Sequence, residues 1–135
     1  LPGIQKLIAS SRFKNMPVVY SLTPQAQAAD IIEAVAPRGN DFIVHASVDK
    51  FFGTGLEDFL KQAAIRTVIV VGTAAEGAVL HTTAGAALRG FHSVVPVDGL
   101  SSSFAYAEQY TVWHLANSPG TKKHATLTRL AMITL

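Results

Sequence analysis

The sequence predicts a three-layer α/β/α domain built on a mainly parallel sheet. Strand-like runs begin near residues 42, 67 and 92, a spacing of 25 residues each time. One strand and one returning helix need about that length, so the alternation describes βα units. The second observation is Thr67–Val71, which is almost continuously apolar and β-branched. A strand covered on both faces reads this way, as strands of parallel sheets do. The chain has 135 residues, which suits one domain over 1–135. Apolar residues make up 49% and charged residues only 15%, against about 25% charged in an average soluble domain. A chain this apolar can fold, and it is expected to pack part of its surface against another subunit or a further segment.

Each element has its own local signal. From Pro2 to Asn15, Ile4, Leu7 and Ile8 recur at helical spacing. Met16-Pro17 ends that helix, and Pro17–Tyr20 reads as a short buried strand. Residues 21–29 form a polar, Ala-rich loop or lid. Asp30–Val35 is expected to be a short helix with Asp30 as N-cap and Ile31, Ile32 and Val35 inward, stopped by Pro37 and Gly39. Phe42–Ala46 is a strand. Thr54 with Glu57 three residues on has capping-box spacing, and Leu56, Phe59, Leu60, Ala63 and Ala64 make one apolar stripe behind it. Glu76–Arg89 is an Ala-rich helix closed by Gly90. His92–Val97 is a strand. Ser101–Ser103 caps a helix to about Ala116, stopped by Asn117-Ser-Pro-Gly120, and Ala125–Thr128 is the last strand.

Several function classes are excluded. Eleven basic and nine acidic residues are scattered, with only Lys122–Lys123 adjacent, so no basic stripe for nucleic acid forms. No apolar run approaches the roughly 20 residues of a membrane span. There is no cysteine, which removes disulfides, Cys-ligated zinc and thiolate catalysis. No His-x-His or His-Glu-x-x-His spacing occurs, so no metal is expected, and no cofactor motif is present. A cytoplasmic protein is the default expectation. The start at Leu1 without Met suggests an upstream segment.

In open parallel sheets ligands bind beyond the carboxyl ends of the strands. That draws attention to His45–Lys50, Gly72–Ala78 and Pro96–Ser103. Gly72-Thr-Ala-Ala-Glu-Gly-Ala-Val79 is the most informative, because small residues let a ligand approach the backbone and the first N–H groups of a helix point at it. The same segment could be a tight turn where small side chains merely fit. Lys-Ser or Lys-Thr does not come after its glycines, and the second glycine of the dinucleotide fingerprint is missing.

VIVVGTAAEGAVLHTTAGAALRGFHSVVPVDG (68–99) resembles the signature of the isochorismatase-like hydrolases, the cysteine hydrolase superfamily. Gly72, Glu76, Val79, Thr82, Gly90 and Phe91 match it. Phe51-Phe-Gly-Thr-Gly-Leu56, AVAPRGNDFIV and LTRLAMI resemble further family segments, in the right order. The resemblance implies a Rossmann-type sheet of order 3-2-1-4-5-6 that acts on small molecules without a cofactor. It also implies a strand ahead of Leu1, about 30 residues with its loop, ending in a catalytic aspartate. Without that strand, Val18–Tyr20 and Thr67–Val71 would flank a vacant position roughly 9–10 Å wide.

Carried residue by residue, the resemblance sets the nucleophilic cysteine on Ala78 and the catalytic lysine on His45. A non-proline cis peptide would fall at Ala74–Ala75, with the Ala75 and Ala78 amides forming an oxyanion hole. Phe51 and Phe52 are candidates for an apolar wall, or for core. His45 is a candidate ligand-facing group, or a polar residue at the sheet rim. Glu76 is a candidate acid or base, or serves the dipole at a helix start. His81 reads as structural. Asp49 and Lys50 read as an exposed, solvated pair, although Lys50 could reach a substrate carboxylate.

Amide-cleaving members use the thiolate covalently, whereas the isochorismatases proper hydrolyse a vinyl ether through the aspartate as general acid. The expected function is therefore hydrolysis of a small anionic or amide-like metabolite without a thiolate. The alternatives are a non-catalytic small-molecule-binding pseudoenzyme and a structural subunit. A homo-oligomer is expected in each case.

Overall fold

The computed structural model describes residues 1–135. Helix α1 (Pro2–Phe13) precedes strand β1 (Val19–Leu22) and, after a long coil, β2 (Phe42–His45). Helix α2 (Leu56–Gln62) leads to β3 (Thr67–Ile69) and the two-residue β4 (Gly72–Thr73). A π-helical turn, Ala75–Val79, opens α3 (Leu80–Leu88). Then come β5 (His92–Pro96), β6 (Leu100–Ser101), α4 (Ala105–Asn117) and β7 (Ala125–Thr128).

Every ladder is parallel. β1 pairs with β2, Val19 opposite Phe42. β3, β5 and β7 form a three-stranded sheet with Val68 opposite Ser93 and Ser93 opposite Ala125. The short β4–β6 ladder extends past the carboxyl ends of β3 and β5. β1 and β3 share no ladder, so one edge of each is unpaired.

Side-chain alternation assigns the layers. Val19, Phe42 and Val44 point to the face where α2 and α3 lie, in a cluster with Phe51, Leu56, Leu60, Ala86 and Phe91 that also takes in Val68 of β3. Val95 on the same face of the three-stranded sheet packs with Val79 and with Leu115 of α4. Tyr20 points the other way, where its hydroxyl donates to Val35 O at 2.7 Å and accepts from Arg12 of α1 at 3.3 Å. Helix α1 thus lies on one face, and α2, α3 and α4 on the other.

Several expectations need correcting. Asp30–Val35 is not an α-helix but two 3-10 turns, Ala28–Asp30 and Glu33–Val35. Asp30 Oδ2 accepts from Gln27 N–H at 2.7 Å, which keeps Asp30 from capping a helix beyond it, and Ile32 is exposed. The first strand lies two residues later than expected, at Val19–Leu22. Thr54 does not form a capping box with Glu57. Its hydroxyl donates to Lys50 O at 2.7 Å, and Glu57 pairs with Lys61 and Arg89. Ala63 and Ala64 are exposed, because Ala64 at φ +56° turns the chain out of the stripe. Thr67 is exposed and Val68–Val71 are only half-buried, since β3 has a strand on one side alone. The helix after Gly72 begins as a π turn, not at Glu76 as α-helix.

Leu115→Ala, at a fully buried position between Val79 and Val95, should cost about 2–5 kcal/mol in urea denaturation. Phe13→Ala, at an exposed position on α1, should stay within about 0.5 kcal/mol of the parent. Equal effects of the two would refute this placement of the core.

Candidate functional site at the carboxyl ends of the strands

Two segments meet where parallel strands present ligands. One is the loop Ala46–Phe52 after β2, and the other is the bend Gly72–Val79 that runs into α3. Thr82 on the first turn of α3 joins them. Its hydroxyl donates to Val48 O at 3.2 Å and accepts from Lys50 N–H at 3.1 Å. One turn on, Gly85 lets the loop touch the helix backbone, for a Cβ there would stand 2.6 Å from Asp49 Oδ1. A further turn on, Arg89 pairs with Asp49 at 3.4 Å and with Glu57 at 3.5 Å, and its guanidinium lies 5.0 Å from the Phe51 ring centre. Residues three and four apart share a helix face. Ala78, about one turn ahead of Thr82, therefore belongs to the face that meets loop 46–52.

A cavity of about 300 Å³ lies at this loop, lined by Ala46, Ser47, Val48, Asp49 and Phe52. A larger hollow of about 510 Å³ lies at the amino ends of β1 and β2, among Arg12, Val18, Asp41, Phe42 and Phe59. That is the wrong end of a parallel sheet for the backbone groups that serve ligands, and its Arg12 is already bound to Asp41 at 2.6 Å.

The structure separates the candidate residues. Phe52 is 79% exposed and lines the cavity, whereas Phe51 is core, stacked on Phe91 at 5.7 Å. Ala78 is half-buried at the head of α3. Ala75 is fully buried, and Ala74 O accepts from the N–H groups of Gly77 and Val79 at 3.1 and 3.3 Å. The non-proline cis bond is Thr73–Ala74, one bond earlier than Ala74–Ala75. The resemblance locates the bend but does not resolve which of its bonds is cis. His45 is exposed with Nε2 3.1 Å from Ala26 O, and His81 Nδ1 lies 2.8 Å from Gly77 O. Glu76 makes no capping hydrogen bond. Its Oε2 is buried without a protein partner, alone among the carboxylate oxygens.

Sequence reasoning mistook Lys50 for a solvated residue. It is 4% exposed. Its ammonium donates to Leu22 O at 3.2 Å and to Ala46 O and Ser47 O at 2.8 Å each. Three donors meet three carbonyls at the carboxyl ends of β1 and β2, so all its protons are used. Burial lowers its pKa from the ordinary value of 10.5. Asp49 is not free either. It accepts from Phe51 N–H at 2.9 Å and pairs with Arg89. The signal available in the sequence was a lysine just past a strand end and directly ahead of a Phe-Phe pair. No cluster of His, Asp or Glu side chains here could hold a metal ion.

The family model described as the Isochorismatase domain matches residues 1–129. This chain belongs to the isochorismatase family. N-carbamoylsarcosine amidase of Arthrobacter sp. is 24% identical over 148 residues, covering 89% of this chain and 56% of the relative. The chain thus spans little more than half the length of that curated relative. Among solved structures, the N-carbamoylsarcosine amidase of Thermoplasma acidophilum has a TM-score of 0.82 at 22% identity, covering 99% of this chain and 84% of the other. An isochorismatase of Pseudomonas putida KT2440 has a TM-score of 0.85 at 18% identity, covering 98% and 76%. The nicotinamidase of Staphylococcus aureus has a TM-score of 0.74 at 24% identity, covering 88% and 80%. These likenesses fix the α/β fold. In this family member, the position that the resemblance gives to the nucleophile holds a methyl group, and the buried ammonium is Lys50, not a group at position 45.

Lys50→Met should destabilise the chain by about 1–3 kcal/mol by stranding three carbonyls. The sign of the pH effect comes from burial. The folded chain holds the Lys50 proton less tightly than the unfolded chain, so the unfolded state binds more protons in the window between the lowered folded pKa and the ordinary 10.5. The parent should therefore gain stability over Lys50→Met as pH rises toward 10.5. Urea titrations at several alkaline pH values measure this, and a constant difference would refute it.

Proposed function

We propose that this family member is a hydrolase that directs water, not a thiolate, at a small anionic or amide-like metabolite held at the carboxyl ends of the strands. The observation that carries the reading is Glu76 Oε2, a buried carboxylate oxygen without a protein partner, two residues ahead of Ala78. An unpaired buried acceptor costs about 1–3 kcal/mol, and a substrate proton or an attacking water would relieve that cost. Such a carboxylate can take or give a proton as a general base or acid. An acyl-enzyme on a cysteine thiolate is unavailable, for the chain has no cysteine and Ala78 has no nucleophilic atom. Phe52 supplies an apolar wall to the cavity. The relatives named as amidases support an amide-like substrate. His45 and Ala74 remain substrate-facing candidates under this reading, whereas Ala75 is fully buried in the bend.

The test is turnover of a panel containing nicotinamide, N-carbamoylsarcosine and small carboxylated ethers, monitored by product release and intact-protein mass. Turnover of at least one without any covalent adduct is expected. Glu76→Gln should lower kcat about 100-fold or more with KM little changed. A covalent adduct, or unaltered turnover in Glu76→Gln, would overturn the reading. Saturable binding with no product would make the chain a small-molecule-binding protein of the same fold.

A further inference from the structure

Basic side chains that are far apart in the chain meet at one edge of the three-stranded sheet. Arg66 stands just ahead of β3, His92 opens β5, and Lys122, Lys123 and His124 lead into β7. The ladders set these strand starts side by side. Thr67 lies opposite His92, and His92 N–H donates to Arg66 O at 2.9 Å. Ser93 lies opposite Ala125 and donates its N–H to His124 O at 2.8 Å, so His92 and His124 are neighbours across the next ladder. With strands about 4.8 Å apart, the row from Thr67 to His124 spans roughly 10 Å. That is about one screening length at 0.1 M salt, so the cations act together on one ligand. The His92 ring is held in place, with Nε2 2.7 Å from the Thr126 hydroxyl on the face that also carries His124 and Thr67.

Nothing in the chain uses up this charge. Arg66, Lys122 and Lys123 are exposed, and the ion pairs of the chain are those of Arg12, Lys61 and Arg89. No aspartate or glutamate occurs in residues 59–75, 77–97 or 109–135, the stretches that hold β3, β5 and β7. Helices α2, α3 and α4 return to this edge, and a helix C-terminus attracts cations. Their last turns already have other donors. Leu60 O accepts from Ile65 N–H and Ala86 O from Phe91 N–H, both at 2.9 Å. His114 O accepts from Ser118 N–H at 2.8 Å and from the Thr121 hydroxyl at 3.1 Å.

From this placement we propose that the amino-end edge of β3, β5 and β7 binds a small polyanion, a ligand carrying two or more phosphate groups. The edge lies at the opposite end of the strands from the cavity and is independent of the chemistry proposed for Glu76. Phosphate suits the donors: a guanidinium fork takes two oxygens, ammonium groups add point charge, and the Thr67 hydroxyl and the imidazoles donate single hydrogen bonds. One phosphate would leave part of the row unused, whereas linked phosphates reach across it. Macromolecules fit less well. Single-stranded nucleic acid is held by stacking on aromatic rings, and residues 65–67, 92–94 and 120–126 contain no Phe, Tyr or Trp. Duplex binding engages about 6–10 phosphates, more than a row of this width meets. A stable protein contact covers about 800 Å² on each side around apolar or aromatic anchors, and no exposed large apolar side chain lies in those segments.

Calorimetric titration of the chain with tripolyphosphate tests the site. Saturable binding is expected, about tenfold or more tighter than that of orthophosphate, and it should weaken as salt is raised from about 0.05 to 0.2 M. Arg66→Glu and Lys123→Glu should each weaken it about tenfold or more, as loss of a charge-assisted contact does. Arg129→Glu makes the same charge change just past the carboxyl end of β7, and binding should stay within about twofold because that distance is screened. All three side chains are exposed, so the variants should fold, and circular dichroism checks that they do. No saturable binding by the parent, or an equal loss in Arg129→Glu, would overturn the proposal. So would tighter binding of a short oligonucleotide or an acidic peptide of equal charge, which would make the edge a macromolecular surface.

Discussion

No backbone ladder joins β1–β2 to β3–β5–β7, so the two sets of strands are held together by side chains. Loop 46–52 is the seam. It docks on α3 through Thr82, passes over Gly85, and pairs Asp49 with Arg89. It inserts Phe51 between Val44 on one side and Phe91 on the other. Burial of a phenylalanine contributes about 1.5–3 kcal/mol, which exceeds what one half-exposed ion pair supplies. The apolar cluster therefore does most of the joining, and the polar contacts set the register between loop and helix.

Lys50 ties the same loop to the β1–β2 pair. Its ammonium gathers carbonyls from the end of β1 and from the turn after β2. Burying a cation without a carboxylate is costly, and only full use of its three donors makes it tolerable. That need fixes the path of Ala46 and Ser47, and both line the cavity. The residue shapes the pocket without facing into it, because its protons are already committed.

The same loop therefore carries stability and lines the cavity. The helix face that accepts it runs from Arg89 through Gly85 and Thr82 toward Ala78. Small residues along that face, Gly85 and Ala78, permit close approach. A methyl group at 78 has no nucleophilic atom, and two residues ahead of it Glu76 keeps a buried carboxylate oxygen without a protein partner.

Local signals settled a good part of this. The 25-residue βα spacing gave a parallel α/β sheet, since that length suits only a strand and its returning helix. Ala125–Thr128, the bend after Gly72 and the stop at Gly90, φ +85°, were legible because each rests on residues adjacent in the chain. The motif at 68–99 carried the family for the same reason. What stayed hidden depended on contacts distant in sequence. Asp30–Val35 has helical spacing, yet Tyr20 and Arg12 tie down the carbonyls of Val35 and Ala36 and break it into turns. The β4–β6 ladder joins residues 28 apart and is too short to leave a periodic pattern. Phe51 and Phe52 are indistinguishable as letters, and packing against Phe91 sends one to the core and the other to the cavity. Lys50 was misread because composition says that lysines are solvated, whereas three carbonyls brought from separate strand ends give this one somewhere else to put its charge.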